Sequence, residues 1–266
     1  MYDIVYSVLF YERIDFINHF INNVKKMNNN NNYLIIAHLS ESAYLNKHLI
    51  IKENVLINDT YYNKIPRTYS ILQAILDNYE YLIKNGINFN NFMPLSSGCR
   101  FVKQAPYLNY FYKQFIYKLE NNIKHEFNIK TDIKWPHRES TLKDIKLINY
   151  FNNKNIEIIH SPTSGRLYTN YEFFGIYEYI NKNNLSNYCL ESNYYDEILL
   201  PTISNYLTGE LEELKCYTFW KEGHPYIPKM KIMKEIIEEN DNIFIFKGFA
   251  SEDLKGKHFS FLKKLN

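Results

Sequence analysis

The first hundred residues alternate short apolar runs with segments of helical periodicity, and few folds accept that pattern. Ile4–Phe10 is apolar, rich in β-forming residues, and reads as a strand. Ile14, Ile17, Phe20, Ile21 and Val24 then recur at helical spacing. Lys25 and Lys26 precede a solvated loop, the Asn28–Asn32 run. Tyr33–His38 is a second buried strand and Val55–Ile57 a third. Ser70 stands as the cap of a helix carrying Ile71, Ala74, Ile75 and Leu82, and Gly86 is a good stop. Phe92–Leu95 is a further apolar run before the polar turn Ser96–Arg100. Strand and helix in alternation predict an α/β fold, a mainly parallel sheet with helices on both faces. Ligands of such sheets bind beyond the carboxyl ends of the strands. Those ends are Phe10-Tyr11-Glu12, His38-Leu39-Ser40 and Ser96–Arg100. Phe10, His38 and Ser97 are therefore candidate ligand contacts.

Downstream, Pro106–Leu119 reads as a Tyr/Phe-rich helix, Ile129–Arg138 as irregular and Thr141–Phe151 as an amphipathic helix with Asp144 at a capping spacing. Ile156–His160 reads as a strand, Ser161–Arg166 as a loop and Tyr171–Asn181 as a helix. A strand near Lys215–Trp220, a turn at 221–225, a helix at Pro228–Asn240 and a strand at Ile243–Lys247 complete the chain. With 266 residues, no internal repeat and no long linker, one domain is the simplest reading.

Composition removes several function classes. A formal net charge of +2 argues against nucleic acid as the main partner, which wants a concentrated basic face. No apolar run is long enough to span a bilayer, and the N-terminus lacks a signal-peptide pattern. Cys99, Cys189 and Cys216 lie too far apart for a disulfide framework or a zinc pattern, so a reducing, cytoplasmic compartment fits. There is no P-loop, no dinucleotide fingerprint, no nucleophile elbow and no Asp-x-Asp to hold an ion on a diphosphate. His38 and His160 end apolar strands, where a satisfied structural histidine is the commoner case.

The stretch Asn193–Ile203 stands out. Asn193 is a plausible N-cap, and Asp196 and Glu197 then fall in the first helical turn, where the dipole favours negative charge. Ile198, Leu199, Leu200 and Ile203 bury the helix behind them. A carboxylate at the open end of an anchored helix is well placed as a fixed general base. The competing reading is that both acids only complement the dipole.

Three ordered stretches resemble the core-2/I-branching N-acetylglucosaminyltransferase and peptide xylosyltransferase group, more closely its bacterial-type relatives. The first is Tyr69–Ala74 with Met93–Lys103, similar to that family's Trp-Ser-x-x-Gln-Ala helix and its Leu-Ser-Gly-x-Asp-Phe segment. The second is Gly165–Tyr168 with Tyr195–Ile203, similar to its acceptor loop and its Pro-Asp-Glu helix. The third is Trp220–Pro225 with Ile243–Lys247, similar to its Trp-Lys-x-x-x-Pro and Phe-Ala-x-Lys ending. This chain departs in having Cys99 where the family has Asp, and Ser40 where it has an acid after the second strand.

The resemblance implies a GT-A-like (Rossmann-like) glycosyltransferase over residues 1–266. Residues 1–104 would bind the nucleotide sugar, and 105–266 the acceptor and catalytic groups. It implies inverting, metal-independent transfer of a GlcNAc- or xylose-like sugar from a UDP-sugar to a carbohydrate acceptor. Glu197 would be the catalytic base. Lys247, with Lys221 as a second cation, would meet the donor diphosphate. Phe10, His38 and Ser97 would contact the nucleotide, and Arg166 and Trp220 the acceptor. For Lys247 and Arg166 the competing reading is an ordinary surface cation, and for Trp220 a core residue. A nucleotide-sugar-binding protein without turnover is the alternative of another class. A hydrolase would need a second carboxylate opposite Glu197, and Asp196 is expected to point elsewhere on the helix.

Overall fold

Strand β1 (Tyr2–Phe10) alternates its side chains between two cores, as a two-residue period requires. Ile4, Tyr6, Val8 and Phe10 enter one core, while Val5 enters the other. A strand buried on both faces belongs at the centre of a sheet. In the computed structural model, which describes residues 1–62, 69–106, 127–128, 138–188, 195–209, 215–221, 224–226, 230–239 and 243–249, β1 is the middle strand. Its sheet has the order β3-β2-β1-β4-β8, with β2 Tyr33–Ser40, β3 Val55–Tyr62, β4 Phe89–Ser96 and β8 Tyr168–Thr169. β1, β2, β3 and β4 run parallel, and only β8 is antiparallel. The fold is thus α/β, with a mixed, mostly parallel central sheet flanked by helices.

Helix α1 (Ile14–Met27) packs Phe16, Ile17, Phe20 and Val24 onto the even-numbered face of β1. Helix α3 (Tyr69–Lys84) packs Leu72, Ile75, Leu76 and Tyr79 onto the other face. Each such side chain contributes about 1.5–3 kcal/mol on leaving water. Because β2 and β3 extend the sheet on one side of β1 and β4 on the other, the strand order reverses between β1 and β4. That reversal opens a crevice at the carboxyl ends of those two strands.

A second sheet has the order β10-β9-β11-β5, with β5 Cys99–Phe101, β9 Cys216–Lys221, β10 His224–Tyr226 and β11 Ile245–Lys247. β6 (Phe127–Asn128) and β7 (Ile159–His160) form a small antiparallel pair.

Several boundaries differ from the sequence reading. The segment Ser96–Arg100, expected as a turn, contains the start of β5. Ser40 caps a short helix α2 (Glu41–Leu45), its Oγ accepting from the Ala43 amide at 3.4 Å. The serine that ends β2 thus works as a helix cap. The single helix expected over Thr141–Phe151 is two, α4 (Arg138–Leu142) and α5 (Ile145–Asn153). Asp144 sits between them and caps α5, accepting from the Leu147 amide at 3.0 Å. The expected helix over Pro106–Leu119 falls, from residue 107 on, outside the described residues, as do Asn193 and Cys189.

Candidate active site

Helix α6 (Asn170–Lys182) and helix α7 (Asp196–Thr208) cover the α3 side of the sheet, and α7 carries the two acids. Its residues from Asp196 to Ser204 are all buried. Three contacts fix it. The Tyr195 hydroxyl donates to Asp144 Oδ2 at 2.6 Å. Thr202 Oγ1 donates to the Ile159 carbonyl at 2.9 Å and accepts from the Ile159 amide at 3.0 Å. Ser204 Oγ donates to Glu172 Oε1. A fourth contact follows from Pro201, which lies inside the helix. Proline has no N–H, so the carbonyl four residues earlier loses its helical donor. That carbonyl is Glu197's, and the Ser161 amide donates to it at 2.8 Å instead. The helix turn that carries Glu197 is therefore hydrogen-bonded to the loop after β7.

Lys247 ends β11, paired with Cys99 on one side and Thr218 on the other. The Gly248 and Phe249 amides both donate to the Gly98 carbonyl, at 3.2 and 3.1 Å. A Cβ on Gly98 would lie 2.7 Å from the Phe249 carbonyl oxygen, so no other residue fits without displacing that backbone. Gly165 is equally constrained. Its φ is +85°, and a Cβ there would lie 2.2 Å from Cys216 Cβ. This glycine donates to the Pro94 carbonyl and accepts from the Lys215 amide, each at 2.8 Å, which binds the 161–166 loop to both sheets.

These elements meet at the crevice between β1 and β4. A cavity of about 120 Å³ there is lined by Ser7, Leu9 and Tyr11 from β1 and its end, and by Pro94, Leu95 and Ser96 from β4. Ile71, Ala74, Ile75 and Asn78 of α3 form an adjoining wall, and Thr163, Ser164, Asp196, Glu197 and Lys247 complete the lining. The volume equals roughly four waters. It suits one reacting group of a ligand, since whole-ligand sites usually measure about 300–1,000 Å³.

The charges in it are mutually adjusted. Burial disfavours the Lys247 ammonium, but Glu197, Cys99, Cys216 and Asp196 around it outweigh burial, and its pKa is raised above the ordinary lysine value. Burial raises the Asp196 pKa, against the opposing pull of Thr163 and Lys247. Burial also works to raise that of Cys99, yet hydrogen bonding from Cys216, the charge of Lys247 and the nearby Ser96 bring it down to about 6. The Ser96 hydroxyl lies 3.4 Å from Cys99 Sγ. Beneath the cavity Asn78 Nδ2 donates to Ser7 Oγ at 3.0 Å, and Asn58 Nδ2 donates to Asn78 Oδ1 at 3.2 Å.

Of the residues singled out in the sequence, Glu197 and Lys247 share this cavity. Phe10 does not line it; its ring lies in the α1-side core against Phe20, centroids 5.4 Å apart. Ser97 is fully buried, and its neighbour Ser96 lines the cavity instead. His38 is fully buried on the α3 face of β2, and burial lowers its pKa, with Asp77 opposing. Arg166 is not a surface cation: it is buried, and its Nη2 donates to Ser161 Oγ within the loop. Trp220 and Lys221 belong to β9, and their side chains lie outside the described residues.

The sequence reading sent Asp196 away from Glu197, but both line the cavity. The cavity meets α7 only at its first two residues, so helical periodicity does not separate them. Being consecutive on one helix, they occupy one wall, whereas glycoside hydrolysis needs carboxylates on opposite sides of the scissile bond. Thr163 and Asn78 were not anticipated. Asn78 had a signal: it continues the Ile71, Ala74, Ile75 stripe, and a polar residue on a buried stripe asks for a partner.

Among the described residues no group of three or more His, Cys, Asp or Glu could hold a metal ion, and no helix is long and apolar enough to cross a membrane. No protein-family model matches the chain, and no curated protein sequence does.

Proposed function

We propose that the protein is a GT-A-like, inverting glycosyltransferase that uses a nucleotide-sugar donor, a UDP-sugar by its resemblance to the core-2/I-branching group, and a carbohydrate acceptor. The observation that carries the reading is the meeting of Glu197 and Lys247 in one cavity at the crevice between β1 and β4. Inverting transfer needs these two groups. The Glu197 carboxylate takes the proton of the acceptor hydroxyl as its oxygen bonds to the anomeric carbon. The bond from that carbon to the diphosphate breaks, and its electron pair leaves with the diphosphate. Lys247 offsets the charge growing there. A lysine kept protonated by its neighbours can serve in this role without a metal ion. Its charge is shared with Glu197 and Asp196, so the enclosed space holds two acids against one cation. That balance suits a neutral acceptor hydroxyl inside, with the phosphates meeting Lys247.

The experiment is release of nucleoside diphosphate from UDP-sugars in the presence of glycan acceptors and excess EDTA. Glu197→Gln keeps shape and loses basicity. Turnover is expected to fall about a hundredfold or more, with donor affinity nearly unchanged. Near-normal turnover in Glu197→Gln would remove the base from this reading.

A further inference from the structure

Two residues that line the cavity each carry a buried polar atom with no hydrogen-bond partner among the described residues: Asp196 Oδ1 and Thr163 Oγ1. Their side chains are only 5% and 4% exposed. They come from different elements, the first turn of α7 and the loop after β7, and they line the same space. The Thr163 hydroxyl stands beside the Asp196 carboxyl and favours its ionised form. Buried polar atoms are ordinarily satisfied, so an open pair at a cavity wall is a place prepared for a ligand atom.

The chemistry of the pair selects that atom. An unprotonated carboxyl oxygen only accepts, while a threonine hydroxyl both donates and accepts. A phosphate or carboxylate oxygen also only accepts, so it would leave that oxygen unanswered. An ammonium would satisfy Asp196 but place a second cation beside Lys247. A hydroxyl donates to Asp196 and accepts from Thr163 through one oxygen, and it brings no charge. The nearby wall of Ile71, Ala74 and Ile75 suits the C–H face of a ring that bears such hydroxyls.

We propose that Asp196 and Thr163 bind one hydroxyl group of a saccharide that reaches into this cavity. They are specificity-determining residues, and the identification of the ligand as a sugar rests on the glycosyl-transfer reading. The pair discriminates by being left unsatisfied when the hydroxyl is absent, the situation in which a polar site rejects an analogue most strongly.

The test is calorimetric titration of UDP, UDP-N-acetylglucosamine and UDP-xylose into wild type, Asp196→Ala and Thr163→Val, with the melting temperature of each recorded. Wild type is expected to bind at least one sugar nucleotide more tightly than UDP. Each variant is expected to lose about tenfold of that added affinity with no loss toward UDP. Thr163→Val keeps shape and charge, so it decides the question even if Asp196→Ala fails to fold. Added affinity that survives in the variants overturns the proposal. Equal weakening toward UDP and the sugar nucleotides also overturns it, since the pair would then act through the fold. Wild type that binds UDP with no gain from either sugar overturns the proposal and leaves the diphosphate reading standing. Wild type that binds none of the three overturns both.

Discussion

Arg100 and Asp196 are buried charges on opposite faces of the central sheet, and they are treated differently. Arg100, on the α1 side, is fully buried and fully employed. Its Nη1 donates to the Ser97 and Cys99 carbonyls at 2.6 Å each, its Nη2 to the Phe16 carbonyl at 3.3 Å, and its Nε to His19 Nδ1 at 3.1 Å. The guanidinium also lies over the Phe16 ring, 4.0 Å from its centroid. Asp196, on the α3 side, keeps an oxygen without a partner among the described residues. A buried charge that is satisfied joins elements together, here α1 to the second sheet. One left open costs the fold roughly 1–3 kcal/mol or more. A fold keeps such a cost where function needs the group. On one face of the sheet a buried charge has its partners, and on the other a carboxylate oxygen is left without one among the described residues.

The contrast is broken most directly by truncation on each face. Phe10→Ala on the α1 side is expected to destabilise by about 3–5 kcal/mol. Leu9→Ala, one residue away but at the cavity, is expected to cost about 2 kcal/mol, the low end for a leucine, because space already exists beside it. Urea unfolding of both variants measures the difference, and equal losses would mean that the cavity face is packed as tightly as the other.

A smaller effect separates charge from packing. Lys247→Ala is expected to weaken UDP about tenfold or more, the value of a charge-assisted contact. Uridine, which carries no phosphate, should bind as before. Calorimetric titration makes the comparison, and equal weakening of both ligands would assign Lys247 to packing.

The smallest effect is on stability against pH. Asp196 has a raised pKa in the folded state, so the folded chain binds more protons than the unfolded chain above the ordinary aspartate value. Stability then falls as pH rises through that window. Asp196→Asn removes the effect, so the variant should melt higher than wild type at neutral pH, with the advantage shrinking toward pH 4. Each kcal/mol relieved corresponds to roughly 2–4 °C for a chain of this size. A variant that melts lower than wild type at pH 7 would show that the Lys247 contact outweighs burial.

Much of the sheet was legible in sequence, since β1, β2 and β4 are apolar runs buried on both faces. The site was legible to within one residue along its strands. Phe10 and Ser97 were expected at the ligand, whereas Leu9, Tyr11 and Ser96 line the cavity. With a period of two, an error of one residue puts a side chain on the wrong face, and nothing in an unbroken apolar run marks which face holds the cavity. Glu197 was singled out by its place in the first turn of a helix and Lys247 by the resemblance, and the two line one cavity. Thr163 left no such mark, because its position depends on a loop held by Gly165 against residues about fifty and seventy positions away in sequence.

The hydrogen bond from the Ser161 amide to the Glu197 carbonyl has a consequence for how this protein would be mapped by mutagenesis. It joins the wall that carries Thr163 to the wall that carries the acids, and both its atoms belong to the main chain. Replacing the cavity-lining side chains one at a time leaves it intact, so an alanine scan of the lining would report the two walls as independent. The residue that makes the bond necessary is Pro201, a full helical turn from either acid and absent from the cavity lining. Variation at position 201 would register as a change in the site while touching none of its surfaces.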